Sequence, residues 1–330
     1  MTRKSIDFTS PLADGIRAFI AYKRALNRRF DNEERTLRLL DRFLCSQKIN
    51  DISEITAQTV ELFLASRPRK RPRSYNHLLG VVRRLFDWLV DQGMVDHSPV
   101  RIGPRRQTSQ RIPFLFDLPL ARQLLRIADQ LPDNPRAPLR GPTYRMIFAL
   151  LYGLGLRVGE VSRLRLGDVD LEQQILTIGE SKFSKSRLVP FGPHMAEALR
   201  EYLQKREQHW RCRQPEDPVF SFTNGTPIHP GTVSQTFHHL LPQMGLSMSD
   251  GCLHPRVHDL RHSFAVGTLL RWYRDGINPA DRLLHLSTFL GHVDPSSTAV
   301  YLTITGELLQ EANKRFERFA PQIAGEGASE

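Results

Sequence analysis

The chain is poor in cysteine. Cys45, Cys212 and Cys252 are its three thiols, far apart and never spaced as C-x-x-C. An odd, scattered set excludes a disulfide framework and a zinc ribbon. Long apolar runs are missing as well; none approaches the roughly 20 residues of a membrane-spanning helix. The opening "MTRKSIDFTSPLADGIRAF" meets charges and turn residues before a signal-peptide core can form. A cytoplasmic, nucleoid-associated protein with no membrane partner is therefore expected. There is no G-x-x-x-x-G-K-[ST] loop for a nucleotide, and no carboxylate cluster that would serve a two-metal nuclease. Acid is also scarce relative to base: 35 Asp and Glu stand against 46 Lys and Arg, a formal charge of +11. Such a balance favours a polyanionic partner, most simply nucleic acid, through release of condensed counterions.

What the chain does contain is mostly helix. Leu12, Ile16, Phe19 and Ile20 recur at helical spacing, as do Leu37, Leu40, Phe43 and Leu44, and again Leu78, Val82, Leu85 and Leu89. Thr56 is placed to cap a further helix, and Gly93 to stop the last. Residues 1–100 thus read as a helical domain with no strand. Residues 101–113, rich in Pro, Gly and Arg, read as a basic linker. The segment 114–305 resumes with helices but changes period after "RVGEVSRLRLGDVDLE". There "QQILTIGES" and "SRLVPFG" read as an antiparallel strand pair turning at "KFSK". The fold class expected is mainly α with a small antiparallel sheet. Residues 306–330 form a C-terminal helix and tail, with Leu308, Leu309, Ala312, Phe316 and Phe319 on one face.

The densest basic run, "ASRPRKRPRS", lies between the third and fourth helices. Arg67, Arg69, Lys70, Arg71 and Arg73, with Arg105 and Arg106 of the linker, are candidate contacts to DNA phosphates.

Four stretches of the second domain carry groups that suit one chemistry. In "GLGLRVGEVSRL", Arg157 follows a Gly-rich turn and Glu160, three residues on, shares its helical face and can orient it. In "ESKFSKSRLVP", Lys182 and Lys185 sit at the hairpin. In "HPRVHDLRHSFA", His258 and Arg261 share a face if helical, and His262 falls elsewhere. A His pair four apart is also a metal arrangement, but the intervening "DLR" lacks a Glu and no third ligand is evident, so no metal is expected. In "HLSTFLGHVDPSSTAVYLTIT", His292 precedes Tyr301 by nine residues across a break, with Ser296 to Thr298 as caps for the helix that follows. Taken singly, each stretch has an ordinary alternative: a surface ion pair, solvated lysines, a buried His, a core Tyr.

Taken in order, "GLRVGEVSRLRLGDVD", Lys182 before "SKSRLVP", "HDLRHSFA", "LGHV" and "STAVYL" resemble the boxes of the tyrosine recombinase, or phage-integrase-like, family. The resemblance covers about residues 112–310, and the N-terminal helices are similar to that family's core-binding domain. It departs at Leu154, where a small or hydroxyl residue is commoner, and at Phe183, where Gly is usual. The long basic stretch before the LGH looks closer to transposon-associated members.

The resemblance implies a two-domain DNA clamp that acts on double-stranded DNA as a homo-tetramer, a dimer of dimers in which the 306–330 tail can dock on a neighbouring protomer, with related recombinases or accessory proteins as further candidate partners. Its activity would be site-specific cutting and rejoining of DNA strands through a 3′-phosphotyrosyl bond, with no metal, ATP or other cofactor. Arg157 and Arg261 match the family's phosphate-binding arginines. Lys182 matches the hairpin lysine that protonates the leaving oxygen, with Lys185 as its alternative. His258 and His292 match the two histidines, His258 being the expected base, and Tyr301 the nucleophile. Two other readings stand beside this one: a type IB topoisomerase-like relaxase, and a catalytically idle accessory DNA-binding protein.

Overall fold

The computed structural model of the chain describes residues 7–28, 30–106, 113–179, 186–209, 214–223, 225–246, 254–292 and 294–303. The chain divides into two compact units, Met1–Gln110 and Arg111–Glu330.

The first unit holds α1 (Ala13–Ala25), α2 (Asp31–Ser46), α3 (Ala57–Ala65) and α4 (Pro72–Asp91). Helices α1, α2 and α4 bury the apolar stripes their spacing predicts, with Phe43 of α2 only partly covered. Leu12, Ile16 and Phe19 of the first stripe meet Leu37, Leu40 and Leu44 of the second and Leu78, Val82 and Leu85 of the fourth in one core. Every such fully buried side chain contributes roughly 1.5–3 kcal/mol over leaving it in water. The Thr56 hydroxyl accepts a bond from the Thr59 N–H, which starts α3. Gly93, at φ +66°, follows α4 and stops it. No strand occurs among the described residues of this unit.

The segment expected to begin the linker is held against this unit. Val100 and Ile102 pack on its core. The Arg83 guanidinium donates to the Ile102 carbonyl at 2.6 Å. The Asn76 amide bonds both the N–H and the carbonyl of Arg105, each at 2.8 Å.

The second unit is mainly α with small antiparallel sheets. It opens with α5 (Leu118–Asp129), α6 (Arg140–Gly153) and the short α7 (Val158–Ser162). Strands β1 (Val169–Asp170), β2 (Ile175–Ile178) and β3 (Arg187–Pro190) follow, in the order β1-β2-β3. The β2–β3 pair is the expected one, with Leu176 opposite Val189. Then come α8 (Pro193–His209), a second two-stranded sheet of β4 (Ser221–Thr223) and β5 (Thr226–Pro227), and α9 (Pro230–Leu240). The chain continues through α10 (Asp259–Arg274), α11 (Pro279–Leu290), α12 (Ser296–Ala299) and a 3-10 turn at Val300–Thr303. Helix α6 is buried nearly all round, and Leu154 at its end joins the same core. A smaller core of Ala265, Leu269, Leu286 and Leu290 takes in Tyr301, so α10 and α11 of its own chain hold this phenol.

The start of α12 differs from expectation. Ser296 opens the helix rather than capping it. Pro295 is the N-cap, and the Asp294 carboxylate just ahead of it accepts from the Ser296 N–H at 2.9 Å and its hydroxyl at 2.6 Å. Lys182, Phe183 and Lys185 of the hairpin, and the tail face from Leu308 to Phe319, lie outside the described residues.

Candidate active site

Two glycine carbonyls hold the two arginines. Gly155 ends the loop after α6 at φ +60°, and a Cβ there would come within 2.4 Å of Phe264 Cδ1. Its carbonyl accepts from Arg261 Nη1 at 2.6 Å, while Arg261 Nη2 donates to the Leu290 carbonyl at 2.7 Å. Arg261 is almost fully buried, and its Nε–H has no hydrogen-bond partner among the described residues. Burial, with Arg157 close by, pushes its guanidinium down to about 9. Gly291 caps α11 in the left-handed region at φ +67°, and its carbonyl accepts from Arg157 Nη2 at 2.8 Å. A positive φ costs any other L-residue about 1–2 kcal/mol, which is why glycine stands at both turns.

Arg157 is not on the helix with Glu160, as its spacing had suggested. It precedes α7 with extended backbone (φ −78°, ψ 145°), and Glu160 reaches back to it. The buried Glu160 carboxylate accepts from the Arg157 N–H at 2.9 Å and from Arg157 Nη1 at 2.7 Å. It also accepts from both Nη atoms of Arg187, at 2.9 Å each. Burial alone would raise this carboxyl, but the bonds and charge from Arg187 and then Arg157 hold it down at about 2. Arg187 also donates from Nε to the Phe289 carbonyl at 2.7 Å. It ties the hairpin strand to α7 and α11. The sequence reading missed it, although it stands in the quoted "SKSRLVP"; nothing local marks an arginine whose partners are 27 and 102 residues away.

Around Tyr301 the histidines fall differently from expectation. His258 precedes α10, and no hydrogen bond joins it to Tyr301 among the described residues. His262 is the contact: its Nδ1 lies 2.8 Å from the Tyr301 hydroxyl. The two imidazoles meet edge to face at 4.7 Å between centroids, so His262 does not fall away from the His258 face. The helix begins one residue after His258, and the i,i+4 step brings the rings together. Desolvation, then His262 and Arg261, pushes the His258 imidazole down. His292 Nδ1 lies 2.6 Å from the hydroxyl of the buried Thr298, and its ring stacks near Tyr301 at 6.4 Å. Burial, then Arg261 and Arg157, lowers it to about 4, so it is neutral at pH 7. Burial raises the Tyr301 phenol above its ordinary 10.0, while Arg261 and Arg157 pull the other way.

Arg157, Glu160, Arg261, His258, His292 and Tyr301 are thus brought to one place from three separate stretches of chain. The other sequence candidates belong to the first unit. Lys70, Arg71, Arg73, Arg105 and Arg106 are exposed there, whereas Arg67 and Arg69 are half-buried. The Arg105 guanidinium stacks 3.9 Å over Tyr75 and donates to the Arg69 carbonyl, so part of it serves its own unit. No group of three His, Cys, Asp or Glu side chains among the described residues is placed to hold a metal. No described helix is long and apolar enough to cross a membrane.

Guanidiniums and imidazoles converging on a phenol, on a mainly helical unit, are the arrangement expected of a tyrosine-type DNA recombinase. The chain belongs to the phage integrase family, whose model matches residues 121–307. It is 36% identical to the Sinorhizobium fredii protein y4rB, which carries a provisional integrase/recombinase name, over 94% of this chain and 98% of that one. It is 28% identical to the tyrosine recombinase XerC of Proteus mirabilis, over 90% and 91%. Among solved structures it resembles the Tn1549 transposon integrase in complex with transposon right-end DNA. That likeness has a TM-score of 0.66 and 15% identity over 93% of this chain and 99% of that one.

Proposed function

We propose that this protein is a site-specific DNA recombinase that cuts and rejoins strands through a 3′-phosphotyrosyl intermediate on Tyr301, without metal or ATP. The observation that carries the reading is the convergence of Arg157 and Arg261 on the Tyr301 pocket, each held by a backbone carbonyl at a glycine turn. A phosphodiester under attack gathers charge on its equatorial oxygens, and pre-held guanidiniums offset that charge without reorganising. Carbonyl bonds take some of the N–H groups of each fork and fix its direction; the rest are left for phosphate. His258 and His292 add further donors at the same centre.

Attack by the Tyr301 oxygen on phosphorus expels the 5′ oxygen, which takes a proton from the hairpin lysine, Lys182 or Lys185. The phosphotyrosyl bond keeps the energy of the broken diester, so a 5′-hydroxyl from a second duplex can reverse the step. Exchange between two duplexes breaks four strands, one per tyrosine, and so calls for a homo-tetramer. The basic side chains of the first unit, Lys70, Arg71, Arg73 and Arg106, supply sequence-independent contacts to double-stranded DNA. The two units together would clamp the duplex. The basic stretch before His292 supports a transposon-associated role.

The test mixes purified protein, in chelator, with nicked duplexes tiled from the DNA flanking its own gene. A protease-sensitive adduct on a denaturing gel is expected for the parent and not for Tyr301→Phe. Binding by both proteins with an adduct from neither would favour the accessory-protein reading. Relaxation of any supercoiled plasmid, without a preferred site, would favour the relaxase.

A further inference from the structure

We propose that His262, rather than His258, is the base that takes the proton of Tyr301 during strand cleavage; the inference rests on the reading of Tyr301 as nucleophile. A general base must lie within hydrogen-bond reach of the proton it removes. His262 Nδ1 meets that condition at 2.8 Å from the phenol oxygen. On the far side of the ring, Nε2 faces Asp259 Oδ1 at 4.0 Å. That is too long for a hydrogen bond, yet close enough for a carboxylate to favour an imidazolium. It also favours the tautomer with the proton on Nε2, which leaves the Nδ1 lone pair directed at Tyr301.

The arrangement is rigid. Asp259 is fully buried, and its carboxylate accepts from the Arg256 N–H at 2.8 Å and from Arg256 Nη2 at 3.3 Å. Ser263, next to His262, donates its hydroxyl to the Asp259 carbonyl at 2.8 Å and accepts from the Phe116 N–H at 2.8 Å. Asp259, His262 and Tyr301 thus lie in an acid–imidazole–nucleophile order, with Asp259 acting on the imidazole through its charge rather than through a hydrogen bond. His258 packs edge to face against the ring of His262, and no hydrogen bond joins it to Tyr301 among the described residues.

In the step itself, the Tyr301 O–H proton passes to His262 Nδ1 and the phenol oxygen forms its bond to phosphorus. The bond from phosphorus to the 5′ oxygen breaks, and that oxygen keeps the electron pair and takes the lysine's proton. On rejoining, the incoming 5′-hydroxyl returns a proton to the lysine as it attacks, and His262 returns its own to the departing phenol.

The test measures single-turnover adduct formation on a nicked duplex by the full chain and by His262→Asn, with His262→Gln as a second variant. The Asn amide can sit where Nδ1 sits and bond the phenol, but it accepts no proton. Both variants are expected to melt and to bind DNA like the parent while forming adduct about 100-fold more slowly or worse. Replacing the bridging 5′ oxygen by sulfur gives a leaving group that needs no acid. That substrate should leave the His262→Asn deficit in place while restoring Lys182→Ala. A His262→Asn rate within about threefold of the parent, or its restoration by sulfur, would overturn the assignment to His262 alone. No adduct from the unsubstituted protein on any duplex would remove the parent reading of Tyr301 as well.

Discussion

Replacing Glu160 by Gln tests whether the arginine pair is held by a buried charge. Glu160 accepts from Arg157 and Arg187 in a site where its side chain is 2% exposed and that of Arg187 is 9% exposed. Its carboxyl lies at about 2 in place of 4.5. At about 1.4 kcal/mol for each tenfold, that difference corresponds to roughly 3 kcal/mol of folding stability at neutral pH. The loss of one member of a buried ion pair points the same way, at about 3–5 kcal/mol, because it leaves guanidiniums without their anion. Since the folded carboxyl is depressed, its contribution is complete above the unfolded value and disappears as pH falls from about 5 to about 2. Urea unfolding followed by Trp272 fluorescence, with Trp88 and Trp210 replaced by Phe, reports on the second unit, because Trp272 lies in α10. Glu160→Gln should lower the midpoint at pH 7 by roughly 1 M urea, with the gap closing as the solution is acidified. Equal midpoints at pH 7, or a gap that does not narrow by pH 3, would refute the argument.

Other outcomes follow from the same contacts. Gly155→Ala places a Cβ 2.4 Å from Phe264 Cδ1 at a φ of +60°. It should cost at least about 2 kcal/mol and lower adduct yield, since the Gly155 carbonyl orients Arg261; a urea midpoint matching the parent would count against this. His292 sits at about 4 when folded, against 6.5 ordinarily, chiefly through burial. The unfolded chain therefore binds the proton first, and stability is lost as pH falls from about 6.5 to about 4. His258 is lowered to about 4 as well, so His292→Gln should roughly halve the slope over that range, and an unchanged slope would show that His292 is not among the groups titrating there.

The helical unit was legible because its apolar stripes repeat at helical spacing over long helices, and Leu12, Leu37 and Leu85 lie where that spacing puts them. The β2–β3 pair was legible from its β-branched run. Strands β1, β4 and β5 were not, since two or three residues carry no period. In the site, the box residues come together in space, but their contacts do not follow from the boxes. Arg157 and Glu160 meet because the carboxylate turns back on the residue before the helix. His262 was set aside as lying off the His258 face, yet residues four apart share a face, and the two rings meet with His262 the one that reaches the phenol. Arg187 was invisible in principle: its partners, Glu160 and Phe289, are adjacent only after three elements have packed.

A bond between Tyr301 and a 3′ phosphate can be identified directly. The trapped adduct would be digested with protease and nuclease, and the modified peptide sequenced by mass spectrometry. A nucleotide remnant on Tyr301, joined through its 3′ phosphate and formed in chelator, is the result expected. A remnant on another residue, a 5′ linkage, or an adduct that forms only with added divalent metal would contradict the account.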